Sequence, residues 1–216
     1  SNLFIQYTFT MVLAVIPFFA KYVLGVGPKE TSIILLSAFI VEMPMLFVWG
    51  RLAVKFGAKI TYMIAIALFF IFLLPFFIVR GVIGTAITSG LLGATLGGII
   101  VLSDVLISDV IDEDELKTRT RREGMYFGVN AFVTRFAIAL EAASIGLVFT
   151  LTQYNPYIFA QPKSFLLGLR FLVAGLPALA MLIALLIMIF YPLAGRRLAD
   201  IRSQVETLHI EKSLKK

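Results

Sequence analysis

Arg135 and Glu141 are the residues whose chemistry most needs an explanation. Both lie in a stretch, 126–151, that is otherwise apolar or small. A charge inside a membrane-length apolar run costs about 2.5–3.5 kcal/mol by insertion scales, and such charges pair with one another or line a pathway. At helical spacing the stretch has three stripes. Phe132, Phe136, Leu140 and Leu147 are bulky and suit lipid. Gly128, Ala131, Ala139 and Ala142 surround Arg135 with small side chains. Thr134, Ala137, Glu141 and Ser144 form a small, polar stripe. Six residues separate the two charges, which is about 240° around a helix and about 9 Å along it. They cannot pair with each other. The other mid-span charge is Glu42, two residues before Pro44. Two readings of Arg135 follow: a structural pair with Glu42, or a cation that meets an oxygen-rich ligand across a cavity. Glu42 reads equally as a coupling acid or a structural one. Asp104 lies either within the membrane or at its edge.

A second constellation sits just upstream. Asp109, Asp112, Glu113, Asp114 and Glu115 precede Lys117, Arg119, Arg121 and Arg122, with Glu123 after them. The stretch 109–123 reads as a loop. It is either solvated, with ion pairs worth little, or a gate whose pairs break and reform. The gate candidates are Asp109, Asp112, Arg122 and Glu123, together with Arg51 and Lys55 from an earlier loop.

The elements that must position these groups are membrane spans. Hydrophobic residues make up 60% of the 216, charged residues only 15%, and the mean hydropathy is +0.97, which excludes a soluble domain. Six apolar runs near span length are expected at 4–23, 31–49, 60–79, 85–108, 126–151 and 165–191. The fold class is therefore all-α membrane protein, with a six-helix bundle over 1–191 and a basic tail over 192–216. Prolines at 17, 44, 75 and 177 predict kinks. Gly93 and Gly97 form a small-xxx-small face for close helix packing.

Basic residues set the orientation. Arg51, Lys55, Lys59, the bases at 117–122 and the tail cations fall on one side; Lys21, Lys29, Arg80 and Lys163 fall on the other. The richer side is expected to be cytoplasmic, the tail with it. The net charge of +6 thus reflects topology, not nucleic-acid binding. There is no cysteine and a single His209, so no metal site is expected. The chain opens Ser1-Asn2 with no basic leader, which reads as a piece of a longer protein and not a signal peptide.

Two motifs carry a resemblance. Gly50-Arg-Leu-Ala-Val-Lys-Phe-Gly-Ala-Lys59 resembles the short cytoplasmic loop signature of the major facilitator superfamily, with Val54 where an aspartate is usual. The stretch from Ser108 through Asp109-Val-Ile-Asp-Glu-Asp-Glu to Arg122-Glu-Gly-Met-Tyr-Phe127 resembles the segment between helices ten and eleven of the glycoside–pentoside–hexuronide:cation symporters, the melibiose-permease-like branch. The tail Phe190-Tyr-Pro-Leu-Ala-Gly-Arg-Arg197 fits the end of their last helix. The resemblance implies the C-terminal six helices of a twelve-helix transporter, in two inverted triplets. It sets Arg135 at a cavity-lining lysine and Asn130 at the polar residue one turn before it. Ala131 stands for a threonine and Ile100 for a cavity tryptophan. Those departures weaken a galactoside assignment. Substrate contacts are expected from Arg135, Asn130, Thr134 and Glu141.

The expected function is secondary transport: symport of a sugar or related small solute with Na+ or H+ by alternating access. The resemblance implies no cofactor, a coupling-ion site mostly in an N-terminal half, and partners consisting of that half, membrane lipid and the solute. Residence in the cell (inner) membrane is expected. The alternatives are a lysolipid transporter of the same family, a non-transporting receptor or assembly subunit, or a six-helix chain working alone as a dimer. No nucleophile–base pair or metal-ligand spacing suggests an enzyme.

Overall fold

The computed structural model describes residues 1–214. Helix α1 (Asn2–Phe18) runs into a π-helical segment, Phe19–Leu24. Helix α2 is Pro28–Phe56, and α3 is Ala58–Leu73 with a 3₁₀ turn at Leu74–Phe77. Helix α4 is Val82–Thr118 and α5 is Glu123–Leu151. The last span joins α6 (Lys163–Arg170), a π-helical segment (Phe171–Gly175) and α7 (Leu176–Ile189). Helix α8 (Gly195–Leu214) closes the chain. Six helical stretches among the described residues are long and apolar enough to cross a membrane, so the chain is a multi-pass, all-α membrane protein.

Local chemistry sets the joints. Gly25, at φ +69°, ends the first span in the left-handed region that glycine tolerates. Pro28 opens α2, where its missing N–H costs nothing, and the Gly27 N–H donates to Glu30 Oε2 at 3.2 Å. Gly57, at φ +87°, turns α2 directly into α3. The expected proline kinks take different forms. Pro17 and Pro177 each lie beside a π-helical segment, and Pro75 is the second residue of the 3₁₀ turn, whereas α2 continues as α-helix through Pro44.

The core is shared by α1, α3, α4 and α7. Met11, Val15, Phe19, Ile66, Leu73, Leu102 and Met181 are fully enclosed there. Helix α2 lies along α4, where Gly93 and Gly97 admit its backbone and Trp49 covers Gly98. The Trp49 Nε1–H donates to the Ala94 carbonyl at 2.6 Å. The other two faces are bare. Among the described residues, α5 buries only Ala137 and Glu141, and α2 only Ile34, Glu42 and Trp49.

The acidic stretch is a correction to the sequence reading. It is no loop: α4 continues unbroken through Asp109 and Glu115 to Thr118, leaving residues 119–122 as the connector. No glycine or proline interrupts this stretch, and Glu, Leu and Lys favour helix. Lys117 pairs with Glu113 one turn back at 3.1 Å. The helix stops where Arg119 takes φ +57° and its N–H bonds the Glu115 carbonyl at 2.8 Å.

Candidate functional site

Helices α1, α4 and α5 enclose a cavity of about 160 Å³ whose polar lining is Asn2, Gln6, Ser103, Asp104 and Asn130. Asn2 and Gln6 sit one turn apart on the same face of α1. The Asn2 amide donates to Asn130 Oδ1 across the gap. Ile100 lines the same cavity. A wider cavity of about 300 Å³ opens beside it, between Tyr62, Tyr126, Tyr191 and the start of α1. There Tyr62 and Ser103 share a hydrogen bond of 2.9 Å, and the Tyr191 hydroxyl donates to the Leu106 carbonyl at 3.2 Å.

The three stripes of α5 part company. The polar one turns inward onto α1: Ala137 and Glu141 are buried, and the Tyr7 hydroxyl donates to Ser144 Oγ at 3.0 Å. Thr134 spends its hydroxyl on the Asn130 carbonyl at 3.0 Å. The Arg135 stripe turns the opposite way. Gly128, Ala131, Arg135, Ala139 and Ala142 are all exposed. Arg135 makes no ion pair or side-chain hydrogen bond among the described residues. Of the four expected substrate contacts, Asn130 lines the cavities; Arg135, Thr134 and Glu141 do not.

The Arg135–Glu42 pair is not formed. Glu42 faces α4, 9% exposed, and its Oε2 has no hydrogen-bond partner. Its own main-chain oxygen lies against Gly97. Asp104 is exposed, at the rim of the polar cavity, and makes no ion pair among the described residues.

The acidic end of α4 is satisfied by its connector and by α8. Arg121 reaches Asp112 and Glu115, each at 3.1 Å, and Glu123 at 2.5 Å. The Glu123 carboxylate beside it holds the Arg121 guanidinium more firmly charged than usual, ahead of the opposing cost of burial. Arg122 grips Asp114 through two bonds, 2.8 and 3.1 Å. From α8, Arg197 meets Glu113 and Arg202 meets Asp109, both at 2.8 Å, and His209 meets Glu115 at 3.2 Å. Leu193, Ile201 and Val205 pack on Val110 and Leu116 beneath these pairs. Asp109 is only 2% exposed. Arg51 and Lys55, expected as partners of this cluster, are exposed and make no ion pair with it among the described residues. The tail was the missed element. In the sequence its arginines count toward topology, yet Arg197 shares one helix face with Ile201, Val205 and Leu208.

The comparisons agree with this architecture. The family model described as MFS/sugar transport protein matches residues 2–195. An uncharacterized symporter of Synechocystis is 29% identical over 91% of the chain and 37% of its own length. A putative sulfoquinovose importer of Salmonella typhimurium is 29% identical over 95% of the chain and 43% of its length. The sodium-dependent lysophosphatidylcholine symporter 1 of Mus musculus is 24% identical over 98% of the chain and 40% of its length. The chain therefore spans about two-fifths of the length of these curated relatives, two named symporters and one a putative importer.

Proposed function

The chain belongs to the MFS/sugar transport protein family, and we propose that it supplies the C-terminal six spans of a secondary transporter that symports a solute with Na+ or H+. The observation that carries this reading is Arg135. A guanidinium that is exposed and unpaired in mid-span needs water, cargo or a carboxylate opposite it. The bare faces of α2 and α5 support a missing half as the element across from it. Cargo then binds between the halves, which rock about a midplane site. Arg135 takes an anionic or vicinal-oxygen group of the cargo in its planar fork. Asn130 and Asp104 supply polar contacts from the cavity wall. The basic end, with α8, lies in the cytoplasm of a cell membrane.

The test uses the full-length protein. Arg135→Ala abolishes binding of a sulfonated sugar while melting temperature and membrane insertion stay unchanged, and Arg135→Lys keeps partial binding with less preference for anions. Unchanged binding by the alanine variant overturns the assignment.

An amphiphile is the second reading of the cargo. Ile33, Val41, Ile83, Ile87 and Leu91 line an apolar groove of about 490 Å³ between α2 and α4. Such a groove suits an acyl chain, as a lysophospholipid would offer. Binding of a lysolipid in preference to any sugar in the same panel favours it.

A further inference from the structure

The segment between α5 and α6 ends in a tip whose side chains are in the wrong solvent if it points into water. Tyr157 is 95% exposed and Phe159 68%, with Ile158 exposed between them. Between Leu151 and Ser164 there is no acidic residue and one cation, Lys163.

The tip's polar groups are turned inward. The Gln161 side-chain amide donates to the carbonyls of Asn155 at 2.7 Å and Ile158 at 2.6 Å. Its oxygen accepts from the Asn155 N–H at 3.3 Å, and Asn155 Oδ1 accepts from the Tyr157 N–H at 3.0 Å. These bonds reduce the number of free polar groups at the tip and so lower the cost of leaving bulk water, because unpaired polar groups make apolar entry costly. The base of the loop is held in place. The Tyr154 ring stacks on Phe165 at 4.7 Å, and its hydroxyl meets that of Tyr22 at 3.1 Å.

The two spans that the segment joins also present apolar side chains: Leu147 and Leu151 on α5 and Leu167 on α6 are exposed. Aromatic rings with a nearby cation are the side chains that settle at headgroup level.

We propose that the segment from Tyr157 to Phe159 is a membrane anchor. It inserts into the headgroup region of the leaflet opposite α8, with Lys163 against lipid phosphate. The partner is bilayer phospholipid, not the other half of the transporter and not a solute.

The test places a nitroxide label on Tyr157→Cys, Phe159→Cys and, as a control at the other end, Thr120→Cys. The full-length, otherwise cysteine-free protein is reconstituted in vesicles of phosphatidylcholine and phosphatidylglycerol. The expected result is a loss of collisions with a water-soluble nickel chelate and a gain of collisions with oxygen at 157 and 159, but not at 120. Nickel collisions as frequent as at 120 overturn the proposal, since the tip is then in water. Low collision rates with both reagents overturn it too, since the tip is then packed on protein. If labelling unfolds the protein, Phe159→Trp replaces it, and quenching by lipids brominated near the headgroup gives the same decision against aqueous acrylamide.

Discussion

Replacing Gly93 by alanine tests the packing on which the bundle depends. A Cβ at Gly93 would stand 2.0 Å from the Ala38 carbonyl oxygen and 2.6 Å from its carbon. An ordinary carbon–oxygen contact is about 3.3 Å or more, so α2 and α4 must separate by about 1.3 Å. The obstacle is main chain, and no flexible side-chain end can give way. Overpacking costs about 1–3 kcal/mol, and a rigid obstacle belongs at the upper end. Against this, alanine gains about 1 kcal/mol over glycine in a helix. The net expectation is a loss of about 2 kcal/mol. Two neighbouring glycines calibrate it. At Gly97 the nearest atom is 3.1 Å away, and at Gly90 it is 3.4 Å, a normal contact. Thermal unfolding of the three full-length variants in one detergent should rank Gly90→Ala at or above the parent, Gly97→Ala close to it, and Gly93→Ala clearly below. Equal melting temperatures for Gly93→Ala and Gly90→Ala would refute a backbone-to-backbone contact between α2 and α4.

Other outcomes follow from the pairs at the ends of α4 and in the spans. Arg202→Ala strands the buried Asp109, whose Oδ2 already lacks a partner. Arg202 is itself 55% exposed, so the loss is about 1–2 kcal/mol, below the cost of breaking a fully buried pair. Adding Asp109→Asn should recover most of it in a double-mutant cycle. Because the α8 members of these pairs are about half exposed, amide exchange over residues 195–208 should quicken as salt rises from 0.1 to about 1 M, and unchanged protection would assign the docking to Ile201 and Val205 alone. Tyr7→Phe removes the bond to Ser144 and should lower stability by about 1 kcal/mol; a melting temperature equal to the parent's would mean that water replaces the hydroxyl at no cost. Glu42→Gln should leave the melting temperature intact, because its carboxylate has no ion pair to lose, while ion-driven uptake falls and counterflow persists. Normal ion-driven uptake would make Glu42 a structural acid.

The spans were legible because a run of about 20 apolar residues has few alternatives. The three stripes of α5 were legible too, since helical spacing alone separates Arg135 from Glu141. Hydropathy lost the trail where helix and membrane part. At Asp109 the chain becomes acidic, which reads as a loop, but helix formation depends on local propensity and the backbone does not turn until Arg119. Three partners of that stretch, Arg197, Arg202 and His209, lie in α8, some 84 to 94 residues away in sequence. Charge matching between distant segments leaves no periodic trace. The polar cavity was half visible. Asn130 follows from its position in the family resemblance, whereas Asn2 and Gln6 carry only the signal of two amides one turn apart in an apolar run.

Helix α4 has 37 residues, about 55 Å at 1.5 Å each, against a hydrocarbon core of about 30 Å. Roughly 25 Å of unbroken helix is therefore surplus to the thickness of the hydrocarbon core. It is a lever arm with its fulcrum among the packed glycines. Gly97 and Glu115 are 18 residues apart, about 27 Å, so a tilt of about 10° at the fulcrum sweeps Glu115 by about 5 Å, beyond the roughly 4 Å reach of an ion pair. The tip carries Glu113 and Glu115, to which Arg197 and His209 are tied. A small angular change inside the bilayer is thus magnified into a displacement that the tail must either follow or release.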